Sequence, residues 1–365
     1  LSLRYFTNKL KEPLFLIKMI FSRLVQHLIL SWYFSNIYVD YNIVNFKLIE
    51  MKKYILIFLI PFFGYSQDVS FEKFNNWIDP DAMSMKAIKV KDNLYIIEGI
   101  GGGVGNVGVF LSDDGIVMID NQFEILEDLL VDKVRELSDK KIKYIINTHF
   151  HFDHADGNRV FGKRGIPIIS HKNVRTRQSE IHMAYGGIYP LLDGFNVPAH
   201  EKDELPTITY DKKMYLHEGD ETIVIYYFGK GHTDGDSIIK FEEANVVHTG
   251  DSYIEYGLPY VDMSNGGSIL GFINTLDDII SICDENTIVI PGHGGLNNVE
   301  GVKTFRDGLN HYYEMTLEGY KKGLSVEEIS NSIDIPLGKT SGFGEPSIVK
   351  ANFVRSILLE NNIIL

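Results

Sequence analysis

The feature that most constrains this chain is the run Thr148-His149-Phe150-His151-Phe152-Asp153-His154, which sets four metal-ligand side chains within six residues. It follows the apolar segment Lys143–Asn147, which reads as a buried strand, so the donors fall where that strand leaves its sheet. In an extended segment alternate side chains share a face. His149 and His151 can therefore address one cation while Phe150 and Phe152 turn to the core. The turn that follows presents Asp153 and His154 to a second cation. Imidazole and carboxylate donors suit zinc, and they also accept iron or manganese.

Two cations need more donors than this run supplies. Three later segments offer them in one grammar: an apolar strand, small residues, then a ligand. Gly231-His232-Thr233 follows a strand-like run ending at Phe228, Thr249-Gly250-Asp251 one ending at His248, and Pro291-Gly292-His293-Gly294 one ending at Ile290. A glycine beside each donor lets the backbone approach a cation closely. A lone histidine on an apolar face is ordinarily structural, but seven donors in four strand-end segments need another explanation. His171, His182, His200, His217, His248 and His311 lack this setting and read as surface or packing residues. His248, two positions before Gly250, is also near enough to support a ligand.

Around these segments the pattern is strand-rich. Asn93–Glu98, Val107–Leu111 and Ile116–Ile119 read as strands, with Asp113-Asp114-Gly115 as a hairpin turn. Apolar residues from Ile125 to Leu137 recur at helical spacing. Pro167–Ile169 reads as a strand and Val174–Ala184 as a helix. Thr222–Phe228, Ser237–Phe241, Asn245–His248 and Thr287–Ile290 read as strands, with a helix over Ile269–Ile282. The tail is helical over Val302–Gly323, Val326–Ile333 and Ser347–Glu360, with a loop from Pro336 to Pro346. This order suggests an α/β fold, two sheets packed face to face with helices outside. Gly103-Val104-Gly105-Asn106-Val107-Gly108 has the spacing of a dinucleotide loop but leads into a strand, which excludes that reading. Gly99–Asn106 reads instead as a flexible hairpin tip. Cys283, the single cysteine, sits among isoleucines and reads as a core residue; no disulfide framework is available.

The pattern HxHxDH over 149–154, followed in order by His232, Asp251 and His293, resembles the metallo-β-lactamase superfamily over roughly Ala87 to Gly295. The resemblance implies a four-layer αββα sandwich, here with a C-terminal helical extension. It also implies two zinc ions, one on His149, His151 and His232 and the other on Asp153, His154 and His293, with Asp251 bridging. Asp120 matches the family's first motif, a residue that orients the histidine loop. In relatives a hairpin placed like Gly99–Asn106 covers the substrate, and Tyr185–Tyr189 and Tyr253–Tyr260 are candidates for the substrate mouth.

Charge then gives a mechanism. Zinc brings the pKa of water from about 15.7 to roughly 7, on the order of 12 kcal/mol in favour of hydroxide. A hydroxide bridging two metals would attack a carbonyl carbon, with Asp153 as the catalytic group that orients it and passes its proton to the leaving group. The expected activity is β-lactamase-like opening of a cyclic amide or ester in a small-molecule substrate. Two departures bear on the substrate. Asp251 stands where the best-known β-lactamases carry a zinc-binding cysteine, and Ile254 stands where they carry a lysine. The bridging aspartate and helical tail instead resemble a glyoxalase II-like thioesterase or a lactonase. A mononuclear iron sulfur dioxygenase, a different class of enzyme, shares much of the ligand set.

Met51-Lys52-Lys53, the apolar run Tyr54–Phe63 and Gly64-Tyr65-Ser66-Gln67 have the form of a secretory signal peptide over residues 51–66, cleaved before Gln67. The apolar run is shorter than the roughly 20 residues a membrane span needs. Residues 1–50 are expected to be upstream sequence preceding a start at Met51. The remainder divides into a catalytic domain over 67–300 and a helical extension over 301–365. Net charge is -14 for the whole chain, and loss of residues 1–66, which carry eight basic and three acidic groups, takes it to -19. So acidic a protein repels phosphate backbones and anionic lipid. A periplasmic or secreted enzyme is expected, with no nucleic-acid partner and no stable membrane anchor after cleavage. The sequence fixes no oligomeric state.

Overall fold

Alternation along single strands decides the architecture. All four residues of β4 (Ile116–Ile119) are buried. Ile116 and Met118 join a core cluster with Leu126, Leu130 and Val134, whereas Val117 and Ile119 join another with Ile223, Ile225 and Ile239. Because successive side chains leave a strand on opposite faces, this strand is covered by helix on one side and by a second sheet on the other. The same split recurs in β5 (Ile142–Ile146), where Ile145 faces the helices and Ile146 the other sheet. The opposite sheet mirrors it: in β14 (Ile288–Ile290), Val289 packs on outer helices and Ile290 on the inter-sheet core. These elements therefore form a four-layer αββα sandwich.

The computed structural model describes residues 74, 76, 78–184, 195–255, 257–334 and 346–363, all within the unit Val69–Leu365. The segment read as a signal peptide, residues 1–50, Tyr185–Tyr189 and nearly all of the loop from Pro336 lie outside the described residues.

Sheet one has seven strands in the order β1-β2-β3-β4-β5-β6-β9. Its edge strands β1 (Ser84–Lys89) and β9 (Ile208–Tyr210) flank β2 (Leu94–Ile100), β3 (Val107–Leu111) and β6 (Ile168–His171). Sheet two runs β10-β11-β12-β13-β14-β15, from β10 (Lys213–Glu218) and β11 (Glu221–Tyr226) through β12 (Ile238–Phe241) and β13 (Val246–His248) to β15 (Asn297–Asn298). α1 (Glu127–Leu137) covers sheet one. Sheet two is covered by α5 (Ile269–Ser281), α6 (Val299–Lys321), α7 (Val326–Asn331) and α8 (Pro346–Glu360), whose Phe272, Leu309, Ile329 and Phe353 share one cluster with Val247 and Val289. Among the described residues no helix is long and apolar enough to cross a membrane.

The helix expected over Val174–Ala184 is shorter. α4 (Lys172–Gln178) ends where Ser179 closes its last turn, and His182–Ala184 form β7, paired with β8 (Phe195–Val197). Non-local pairing overrides the local helical spacing there. β1, β9 and β10 carry too little apolar alternation to announce themselves: β10 alternates exposed and half-buried residues as an edge strand, and only its last residue is buried. The Gly99–Asn106 hairpin tip also differs from expectation. Gly101–Gly103 are exposed, but Val104, Gly105 and Asn106 are buried. The Asn106 amide N–H donates to the Gly292 carbonyl at 2.8 Å, and its side chain donates to the Pro291 and Gly294 carbonyls at 2.9 Å each. The base of the hairpin is thus clamped between sheets.

β4 and β5 are parallel, as are β13 and β14, so their C-terminal ends open on one edge of the sandwich. Ser237 N–H donates to the Thr148 carbonyl at 2.6 Å and ties the two sheets together there.

Candidate metal centre

The chain after β5 does not stay extended. Thr148–Phe150 bend, and His151, with φ -61° and ψ 146°, caps the one-turn helix α2 (Phe152–Ala155) that carries Asp153 and His154. Separation of the donors from Phe150 and Phe152 comes from this turn rather than from strand pleat. Both phenylalanines are buried, and Phe152 packs on Phe123 and Phe195. Asp120 holds the bend. It adopts φ 64°, a conformation that short polar side chains reach more readily than others. Its carboxylate accepts the Thr148 backbone N–H and hydroxyl, each at 2.7 Å.

The structure brings His149, His151, Asp153, His154, His232, Asp251 and His293 together in three overlapping groups: His149, His151 and His232; His149, His154 and Asp251; and Asp153, His154 and His293. Within each group the donor atoms lie within 4.8 Å of one another, a span that fits one shared cation. All are buried except Asp251, which is partly so.

The outward nitrogen of each imidazole fixes what the inward one can do. His232 Nδ1 lies 2.7 Å from the Tyr260 carbonyl, His151 Nε2 3.0 Å from Asp262 Oδ2, His154 Nδ1 2.8 Å from Asp120 Oδ2 and His149 Nδ1 3.0 Å from Thr148 Oγ1. The first three partners are acceptors, and the Thr148 hydroxyl already donates to Asp120. We assign the ring proton to the outward nitrogen in each case. The inward nitrogens of His149, His151 and His232 then hold lone pairs. His232 Nε2 faces His151 Nδ1 at 2.9 Å, and His154 Nε2 faces His293 Nε2 at 3.2 Å. The two lone pairs of the first couple repel at that distance unless a cation or an extra proton lies between them. His149 Nε2 is buried with no hydrogen-bond partner. The donor set thus fits divalent cations, and the Asp262, Asp120, Tyr260 and Thr148 contacts are the outer supports such sites use.

Electrostatics separate the groups. Burial lowers the His149 imidazole well below its usual range, and the neighbouring His154, His232 and His151 lower it further. Burial also takes His232 down to about 4, with His151 adding to the fall. Burial opposes charge on His154 as well, but the Asp251 and Asp153 carboxylates outweigh it and raise this imidazole to about 10. His293 is likewise raised against its burial by Asp251 and Asp153. Burial would raise the carboxyl of Asp251, yet His293 and His154 hold it well below its ordinary value.

Glycine lets these segments close. A Cβ on Gly292 would lie 2.0 Å from Asp251 Oδ1, and one on Gly105 would lie 2.3 Å from the His154 ring. His248 is buried, and its Nδ1 accepts the Gly250 N–H at 3.2 Å, so it supports the turn bearing Asp251. His171 stacks on Tyr227, and His217 and His311 are exposed. Burial lifts the Cys283 thiol to about 11, in keeping with its half-buried packing. Of the mouth tyrosines, Tyr253 is a packing residue, buried and bonded through its hydroxyl to Asn297. The Tyr260 ring lies 5.9 Å from that of His151 and borders the donor cluster. Asp262 has the largest supporting role that the sequence did not announce. It comes after a loop rather than an apolar strand, so the strand-end grammar passes over it.

The family model of the Metallo-beta-lactamase superfamily matches residues 100–293, more than half of the chain. A protein of Methanocaldococcus jannaschii named a probable metallo-hydrolase is 26% identical over 175 residues, 47% of this chain and 79% of that protein. An uncharacterised Mycobacterium tuberculosis protein is 29% identical over 80 residues, 20% of this chain and 35% of its own length. Among solved structures, a metallo-beta-lactamase from Pontibacter korlensis aligns with TM-score 0.50 and 16% identity, covering 62% of this chain and 99% of that one. TMB-1 aligns with TM-score 0.50 and 19% identity, over 62% and 98% respectively. At such identities these alignments speak to the fold alone.

Proposed function

The chain belongs to the metallo-beta-lactamase superfamily and is a metal-dependent hydrolase, and on that premise we propose that it is a dinuclear zinc enzyme that opens a cyclic amide or ester. The observation that carries this reading is the pair of inward lone pairs of His232 and His151 facing one another at 2.9 Å. In it, His149, His151 and His232 would hold one ion and Asp153, His154 and His293 the other, with Asp251 within reach of both groups. Divalent cations held there supply Lewis acidity, which acidifies water and polarises a carbonyl. The remaining work falls to the chain. Asp153 Oδ2 lies 3.1 Å from His293 Nε2, where its carboxylate can orient the nucleophile and carry a proton to the leaving group. The buried setting of the cluster limits water and strengthens every charge interaction in it.

A β-lactam is the first substrate to test. The experiment is turnover of a chromogenic cephalosporin by zinc-loaded protein starting at Gln67, with and without chelator. Chelator-sensitive turnover supports the β-lactam reading. A specific observation favours a second one, a lactone or thioester. Ile254 is 6% exposed and apolar, so the position where β-lactamases carry a lysine offers no cation to a substrate carboxylate. No cephalosporin turnover with two zinc ions bound moves the reading to esters, whereas one iron per chain moves it to a dioxygenase. Export is part of the proposal, supported by the basic, apolar and small-residue order of residues 51–66. N-terminal sequencing of the mature protein tests it, and any start other than Gln67 counts against that cleavage site.

A further inference from the structure

The three-histidine group leans on one segment, Tyr260–Ser268. The Tyr260 carbonyl and the Asp262 carboxylate take the outward nitrogens of His232 and His151, and the Asp262 N–H donates to the His232 carbonyl at 2.8 Å. The far end of the segment is Ser268, whose N–H donates to the Gly231 carbonyl at 2.8 Å. Ser268 is also the N-cap of α5, and its Oγ accepts the Gly271 N–H at 2.9 Å. That same hydroxyl donates to a carboxylate from the last turn of α8, Glu360 Oε1, while Glu360 Oε2 accepts the Leu270 N–H at 3.1 Å. One side chain, 92 residues further along, thus binds both the cap of α5 and a free N–H of its first turn. A carboxylate there is favoured by the helix dipole as well as by the two hydrogen bonds.

We propose that Glu360 is a positioning residue for the three-histidine group, acting through Ser268 and the Asp262 segment, so that the C-terminal helix is part of what sets metal affinity. The proposal rests on the reading that these histidines hold a cation. Its reach is selective. Glu360 contacts the segment that supports His151 and His232, whereas His154 is held by Asp120 and the turn that carries His293 is clamped by Asn106.

The test uses the full mature chain and cobalt or zinc titrated against a competing chelator. Glu360→Gln keeps size but removes the charge and one acceptor. It is expected to weaken one of two ions by a few-fold to about ten-fold, at most the low end of what loss of a direct support costs. That ion should be the one that Asp262→Asn also weakens, with the same change in the cobalt spectrum. Asn361→Ala is the control: it removes the bond from Asn361 Nδ2 to the Tyr313 hydroxyl, at the same helix end but away from the site. Equal binding by Glu360→Gln and the parent protein overturns the proposal, as does an equal loss in Asn361→Ala, which would mark a general effect of loosening α8. A parent protein that binds no cation through its histidines removes the functional reading itself, an outcome distinct from either.

Discussion

The two halves of the donor cluster use similar residues in opposite settings. His149, His151 and His232 contain no carboxylate of their own, and burial holds His149 and His232 neutral. Their charge lies one layer out, on Asp262, and their alignment depends on a carbonyl, a hydroxyl and that carboxylate. Asp153, His154 and His293 have carboxylates inside the group, with Asp251 adjoining, and their imidazoles are raised rather than lowered. One half draws both its charge and its geometry from outside the group. The other is a charged site that attracts a cation directly and takes protons in its place. Losing an internal carboxylate should therefore cost more than losing an outer support, and outer supports should act on their own half.

The largest expected effect comes from the residue that touches both halves. Asp251 lies 3.0 Å from His154 Nε2, 3.4 Å from His293 Nε2 and 3.7 Å from His232 Nε2. Asp251→Ala should cost on the order of 10³-fold in kcat/KM, about 4 kcal/mol of transition-state stabilisation, and lower metal content by one equivalent. Steady-state kinetics beside elemental analysis read both. Full metal content with unchanged kinetics would end the idea that this carboxylate joins the halves.

A matched pair of substitutions separates the halves. Asp120→Asn removes the charge behind His154, and Asp262→Asn the charge behind His151; both keep side-chain shape. Each should weaken one ion by roughly 10–100-fold, and by the comparison above they should weaken different ions. Stepwise zinc titration followed by calorimetry resolves the two events. If both variants lose the same ion, the halves are not independently supported.

The contrast also explains how much of the site could be read from the sequence. The seven donors stand out because each follows an apolar strand, and strand ends are where a sandwich exposes side chains to one another. The layers were legible for a related reason: β4 and β14 are apolar without a break, which burial on both faces explains. Less was visible where a contact joins segments remote in sequence. Asp262 bonds a donor 111 residues away, Glu360 acts through Ser268 at a separation of 92, and neither sits in a pattern of its own. The β7 strand was hidden likewise, because its pairing with Phe195–Val197 is non-local and outweighs the helical spacing before it. The Gly99–Asn106 hairpin showed glycine and hence freedom, yet Gly105 is there because His154 leaves no room for a Cβ.

The smallest effect should come from the one group shared by both support systems. Thr148 Oγ1 accepts from His149 Nδ1 at 3.0 Å and donates to Asp120 Oδ2 at 2.7 Å, while Asp120 Oδ2 also holds His154 Nδ1. It therefore links a neutral histidine in one half to the carboxylate behind the other. Thr148→Val keeps the branched shape and removes the hydroxyl. A net loss of about 1 kcal/mol per hydrogen bond corresponds to roughly five-fold in affinity. Unlike the Asp120 and Asp262 variants, it should weaken both ions together. Thr148→Ser, which keeps the hydroxyl, should bind both nearly as the parent does. The same zinc titration reads both variants. A loss confined to one ion in Thr148→Val would mean that the hydroxyl serves only one half and that the two support systems meet nowhere in this cluster.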